Sequence, residues 1–132
     1  MPGDVHDGSV PCAEDLGQTF DQAFSASVEQ HRAMVDIAGE HGLKHNIECC
    51  LMSIAHQPEN ALKLIDAVPG LGITVDYAHQ VQLGLGHDEI EVMHPYATHF
   101  QAKQSAPGEF QAKPDEGVID FGRVIRLSLI HI

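Results

Sequence analysis

Apolar residues recur at intervals of three and four from Phe20 onward: Phe20, Phe24, Val28, Val35 and Ala38, with His31 on the same stripe. That spacing marks one face of a helix. Thr19 or Asp21 is placed to cap its start, and Gly42 sits where such a helix stops. Residues 43–50, LKHNIECC, then read as a strand. Pro58 opens a second helix over 58–68, with Glu59 in the first turn, where the helix dipole favours a carboxylate. The sequence PGLG at 69–72 closes it, and the short apolar run GITV leads to Asp76, with His79 three residues on. A third helix is expected over 87–93, a third strand over 97–103, and a final helix from Asp120 carrying Phe121, Val124 and Ile125. Residues 1–17 and 105–117 have Gly and Pro without apolar periodicity and are expected to be loops.

Alternating helices and strands imply a parallel sheet with right-handed crossovers. Strands near 43–48, 73–76 and 98–103 should be adjacent in that order, each preceded by a helix on the outer side. An open doubly wound sheet and a (β/α) barrel both satisfy this pattern. No G-x-G-x-x-G or P-loop follows any strand, which weakens the nucleotide-binding sheet.

Composition narrows the chemistry. With 132 residues, 43% of them hydrophobic, the chain suits one small domain with a core. A net charge of −12 with only seven Lys and Arg disfavours unaided binding to nucleic acid. Cys12, Cys49 and Cys50 make neither a disulfide framework nor a paired Cys-x-x-Cys zinc site. Free thiols in a reducing cytoplasm are the better expectation. Neither a charged-then-apolar leader nor an apolar run near 18 residues occurs, so neither a signal peptide nor a membrane span is expected. Ten histidines make metal chemistry worth testing. Of these, His6, His31, His41, His56 and His94 are expected at the surface or in loops.

The strand ends carry the candidate chemistry. Alternate residues of a strand face the same way, so Asn46 and Glu48 share one face, as do His99, Gln101 and Lys103 on the third strand. Both faces of a parallel sheet are normally buried, so polar residues on one face must point into something wet or coordinating. On neighbouring strands, Glu48, Asp76 and Gln101 converge on one volume. Two carboxylates and an amide oxygen are hard ligands suited to Mn²⁺ or Mg²⁺, or to a promiscuous Co²⁺ or Zn²⁺ site. Each residue alone is more often structural; three at consecutive strand ends shift the balance toward a site. Lys103 snorkelling to solvent and His99 as a satisfied core histidine are the competing structural roles.

From Ser27 to Leu127 the chain resembles the xylose-isomerase-like barrel superfamily of sugar and sugar-phosphate isomerases, epimerases, inosose dehydratases and apurinic-site endonucleases. The similar pieces are VEQHRAMVDIAGEHGLK, the strand end NIE, PENALKLIDAVPGLGITVD, the D-x-x-H of Asp76 and His79, THFQAK, and EGVIDFGRVIRL. The resemblance implies that Glu48 and Asp76 bind metal and that His79 serves substrate or a second metal. It matches His99, Gln101 and Lys103 to the first, third and fifth positions of an H-x-H-x-K-D strand whose third position is the usual ligand. Gln104 stands where Asp is common, which leaves the neighbouring hydrogen-bond network open.

The activity so implied is a metal-dependent isomerase or epimerase acting on a small sugar or sugar phosphate through an enediolate. Glu48 would be a ligand and one of two proton-handling carboxylates. His79 would bind a substrate hydroxyl, His99 would lie on the substrate side, and Lys103 would offer charge to the enediolate or a phosphate. A metal-dependent phosphodiesterase and a non-catalytic binding module are the alternatives. A complete barrel needs about 200–250 residues and eight strands. Three are legible here, and a fourth only if the opening Met-Pro-Gly tips an earlier one. The expected fold is therefore an α/β partial (β/α)8 TIM barrel, roughly strand 4 or 5 to helix 7, over residues 1–126. The ending LSLIHI matches the translation of a common transposon-based sequencing adapter, so 127–132 are expected to be a non-native tail on an inactive fragment. Homo-oligomerisation of the full-length protein is left open.

Overall fold

The computed structural model describes residues 17–131; His6, Cys12 and the Met-Pro-Gly opening lie outside the described residues. Helix α1 (Phe20–Glu40) starts where Thr19, rather than Asp21, caps it. Thr19 Oγ1 accepts from the Gln22 amide at 3.2 Å while the Gln22 side chain accepts from the Thr19 amide at 2.9 Å, a reciprocal capping box. Gly42, at φ +67°, ends the helix, with the Leu43 amide donating back to the Ala38 carbonyl and the Gly42 amide to that of Gly39. That is the double bond of a Schellman stop, and the left-handed residue it needs is the reason for glycine.

Three parallel strands follow, β1 (Asn46–Glu48), β2 (Gly72–Asp76) and β3 (Ala97–Gln101), adjacent in the order β1-β2-β3. Helix α2 (Pro58–Ala67) links the first two, and α3 (Tyr77–Gln82), α4 (His87–Glu91) and a 3₁₀ turn (His94–Tyr96) link the second pair. Helix α5 (Phe121–His131) closes the described chain. No strand among the described residues pairs antiparallel to these three.

Ile47, Ile73 and Val75 point into the helix layer and join Leu64, Tyr77 and Met93 in the core. Helix α1 lies on the outside: none of its residues is fully buried, and Phe24, Val28 and Val35 pack partly against the core. Arg32 ties it to the end of α2 by donating to the Ala67 carbonyl at 2.8 and 3.2 Å.

Several expectations need correcting. Strand β1 begins at Asn46, because Leu43 leaves the Schellman stop 69% exposed and outside the paired strand. Strand β3 ends at Gln101, so Lys103 lies beyond it. The helix expected over 87–93 stops at Glu91. His79 lies on α3, a short helix that begins as soon as β2 ends and that the spacing of apolar residues does not reveal. Finally, His94 is 1% exposed. Its Nε2 meets the Tyr77 hydroxyl at 2.6 Å and its ring packs edge-on against Phe100, so it is a core residue pairing a buried phenol.

Candidate metal centre

Asp76 is the pivot of the site, and its two oxygens do different things. Oδ1 accepts the Ala78 amide at 3.0 Å, capping α3 the moment β2 ends. Oδ2 is buried without a hydrogen-bond partner. Lys103 Nζ lies 3.0 Å away, close enough for an ion pair but off the direction of a hydrogen bond. The side chain is 1% exposed. A buried carboxylate oxygen is costly unless a cation answers it, and here the Lys103 ammonium is that cation.

Register determines what surrounds it. Glu48 is opposite Thr74 on β2, two residues before Asp76, so Glu48 and Asp76 share one face. On the other side, the pairing steps from Ile73–Ala97 to Thr74–His99, leaving Thr98 as an extra residue. This bulge has a large effect. Without it Phe100 would stand opposite Asp76; with it Gln101 does, and Phe100 turns into the core. Gln101 and His99 therefore both lie on the polar face, exposed and on the strand beside Asp76. Further down that face the Thr98 hydroxyl donates to Asn46 Oδ1 at 2.7 Å, across Gly72. A Cβ on Gly72 would stand 2.2 Å from that oxygen, which is why the strand starts on glycine.

His79 reaches the same point from α3. One donor atom each from Glu48, Asp76 and His79 lies within 4.8 Å of the other two. Nε2 of His79 is 3.3 Å from Glu48 Oε1 and 3.8 Å from Asp76 Oδ2. The other ring nitrogen decides the role. The Leu51 amide donates to Nδ1 at 3.1 Å, so Nδ1 holds its lone pair and, assigned from this network, the ring proton sits on Nε2. With that tautomer His79 presents a donor to the carboxylates rather than a lone pair to an ion. Gln80, fully buried, fixes the same junction by donating to the Cys49 and His56 carbonyls at 2.6 and 3.2 Å.

The segment after β3 supplies two residues that periodicity could not find. In APGE, Pro107 and Gly108 (φ +77°) occupy the central positions of a tight turn closed by the Glu109 amide on the Ala106 carbonyl at 2.8 Å. The turn sends Phe110 back over the site, 4.7 Å from the His79 ring centre to centre. Gln104 then clasps the returning chain: its Oε1 accepts from the Ile119 amide at 2.9 Å and its Nε2 donates to the Ile119 carbonyl at 3.1 Å. An aspartate there could accept but not donate. The turn signal was readable in APGE; the direction of Phe110 was not.

The donor set, two carboxylates with one buried oxygen unanswered by any hydrogen bond, fits a hard divalent cation. A family model described as xylose isomerase-like TIM barrel matches residues 3–127. The chain belongs to that family. Its three parallel strands and outer helices are a part of such a barrel. A crystal structure of a xylose isomerase-like TIM barrel protein from Mycobacterium smegmatis in complex with magnesium superposes with a TM-score of 0.69 at 19% identity. The superposition covers 82% of this chain and 40% of that one, so this chain spans less than half of its length. No curated protein matches. Among the described residues no helix is long and apolar enough to cross a membrane.

Proposed function

We propose that the barrel to which this chain contributes is a metal-dependent isomerase or epimerase of a small sugar or sugar phosphate. The observation that carries the proposal is the buried Asp76 Oδ2 facing Glu48, with no hydrogen bond of its own. Glu48 and Asp76 would hold the ion, with the Gln101 amide oxygen available from the neighbouring strand. A bound Mn²⁺, Mg²⁺, Co²⁺ or Zn²⁺ would polarise a substrate carbonyl and hydroxyl and favour the enediolate.

The chain's own residues then divide the work. Glu48, 40% exposed at its side chain, is the more accessible carboxylate and would exchange a proton with the carbon next to the carbonyl. His79, with its proton on Nε2 3.3 Å from Glu48, would donate to a substrate hydroxyl. Lys103 supplies positive charge for an oxyanion or phosphate. His99, exposed on the polar face, extends the substrate side. The magnesium in the Mycobacterium smegmatis structure is in keeping with an ion of this hardness. The acidic balance of the chain, −12, favours a small substrate over a nucleic acid backbone.

Hydrogen exchange tests the proposal. Ketoses and ketose phosphates are incubated with the full-length protein and Mn²⁺ in D₂O, and deuterium at the carbon next to the carbonyl is followed by NMR. Incorporation that stops with EDTA and in Glu48→Gln is the expected result. Incorporation that survives both, or metal-dependent cleavage of a phosphodiester in its place, would contradict it.

A further inference from the structure

Lys103 and Phe110 both lie beyond β3, and they meet over the site. Lys103 Nζ is 3.9 Å from the centre of the Phe110 ring and 3.0 Å from Asp76 Oδ2. The ammonium is thus held between a π-face and a buried carboxylate, two partners that each favour a cation. Phe110 is itself pinned. Ser105 is fully buried, and its hydroxyl contacts the Glu109 carbonyl at 2.8 Å and the Ala78 carbonyl at 3.4 Å, which fastens the APGE turn to α3 next to His79.

Asp76 Oδ2 is the same oxygen that the cap of α3 leaves for an ion. A metal at an ordinary metal–oxygen distance of about 2.0–2.6 Å from it would face an ammonium within a few ångströms. Two cations that close repel, and the interior screens them poorly. We infer that Lys103 is a resident cation on Asp76, clamped there by Phe110, and that a divalent ion binds by displacing it. The displaced ammonium moves toward the substrate side, so ion entry and delivery of Lys103 to substrate are one event. This rests on the proposal that Glu48 and Asp76 hold a divalent ion.

The test is an Mn²⁺ titration of the full-length protein by electron paramagnetic resonance at fixed pH and ionic strength. Wild type, Lys103→Met, Phe110→Leu and the double variant are compared, each with its circular dichroism spectrum. Lys103→Met should bind Mn²⁺ about three- to tenfold more tightly, the range of a partly exposed ion pair plus the repulsion it removes. Phe110→Leu should bind about two- to fivefold more tightly, the range of an exposed cation–π contact. The double variant should be no tighter than Lys103→Met, because the clamp has nothing left to hold. Should Lys103→Met lose the wild-type spectrum, Lys103→Gln takes its place. Wild-type binding with unchanged or weaker binding in the lysine variant overturns the displacement alone. Absence of Mn²⁺ binding in wild type and variant alike overturns the ion site and the displacement with it.

Discussion

Ile73 and Asp76 belong to the same five-residue strand and both are sealed from solvent, at 0% and 1% exposure, yet they face opposite worlds. Ile73 enters the helix layer among Ile47, Val75 and Leu64, where burial of apolar area holds the fold together. Asp76 faces the polar side with Glu48, Thr74, His99 and Gln101, where only it and Thr74 are deeply covered. The first face is built for packing. The second is held in place by caps, register and one ion pair, and its side chains are free to do chemistry. Stability and function should therefore separate by face of the sheet.

Substitution along the strands breaks or sharpens this contrast most strongly. Ile73→Ala should cost about 2–5 kcal/mol in urea unfolding, the range for a buried aliphatic truncated to a cavity. Gln101→Ala should stay within about 0.5 kcal/mol, as surface substitutions do. Equal costs would mean that the polar face is packed core after all.

Acidification is a smaller lever and acts on the helix side. Burial pushes the His94 pKa below its ordinary value, with Glu91 opposing and His131 assisting the shift. Burial and then the neighbouring His45 lower that of His31. Both groups bind fewer protons folded than unfolded, so their contribution is complete above the unfolded value of about 6.5 and is lost as pH falls below it. The melting temperature should decline from pH 7.5 to pH 5, and His94→Phe should flatten that decline while lowering the plateau, since Tyr77 loses its partner. A melting temperature that rises on acidification would contradict the assignment.

The smallest effect concerns the two adjacent thiols. Cys49 is 1% exposed, and burial, the Cys50 thiol and Glu48 push its pKa up to about 12. Iodoacetamide at neutral pH should therefore label the half-buried Cys50 and spare Cys49 in the folded chain. Labelling of both at one rate would show that the end of β1 opens readily.

The fold was legible because its signals are local: the three-and-four spacing of α1, Thr19 and Gly42 at its ends, Pro58 at the start of α2, and the apolar run of β2. The site was legible in part. Glu48, Asp76 and Gln101 were placed on one face by alternation, and the structure agrees. It does so through a bulge at Thr98 that alternation cannot foresee, since one extra residue inverts every later position. His94 was misjudged because burial of a histidine depends on a partner 17 residues away, the Tyr77 hydroxyl. Phe110 was missed because a turn sequence gives the bend but not what it covers. Nor could the sequence show that Asp76 caps α3 with one oxygen while the other lies beside Lys103.

The most direct measurement is Mn²⁺ affinity in wild type, Asp76→Asn and His79→Asn, read by electron paramagnetic resonance beside far-ultraviolet circular dichroism. Asparagine caps a helix about as well as aspartate, so Asp76→Asn should fold normally and weaken the ion by about a hundredfold or more as its charge is removed. His79→Asn should weaken it by less than about tenfold, below the loss usual for groups that position a ligand and far below that of a ligand itself. Equal, severe losses in both variants would make His79 a ligand and contradict the tautomer set by Leu51; unchanged affinity in Asp76→Asn would remove the ion from Asp76 altogether.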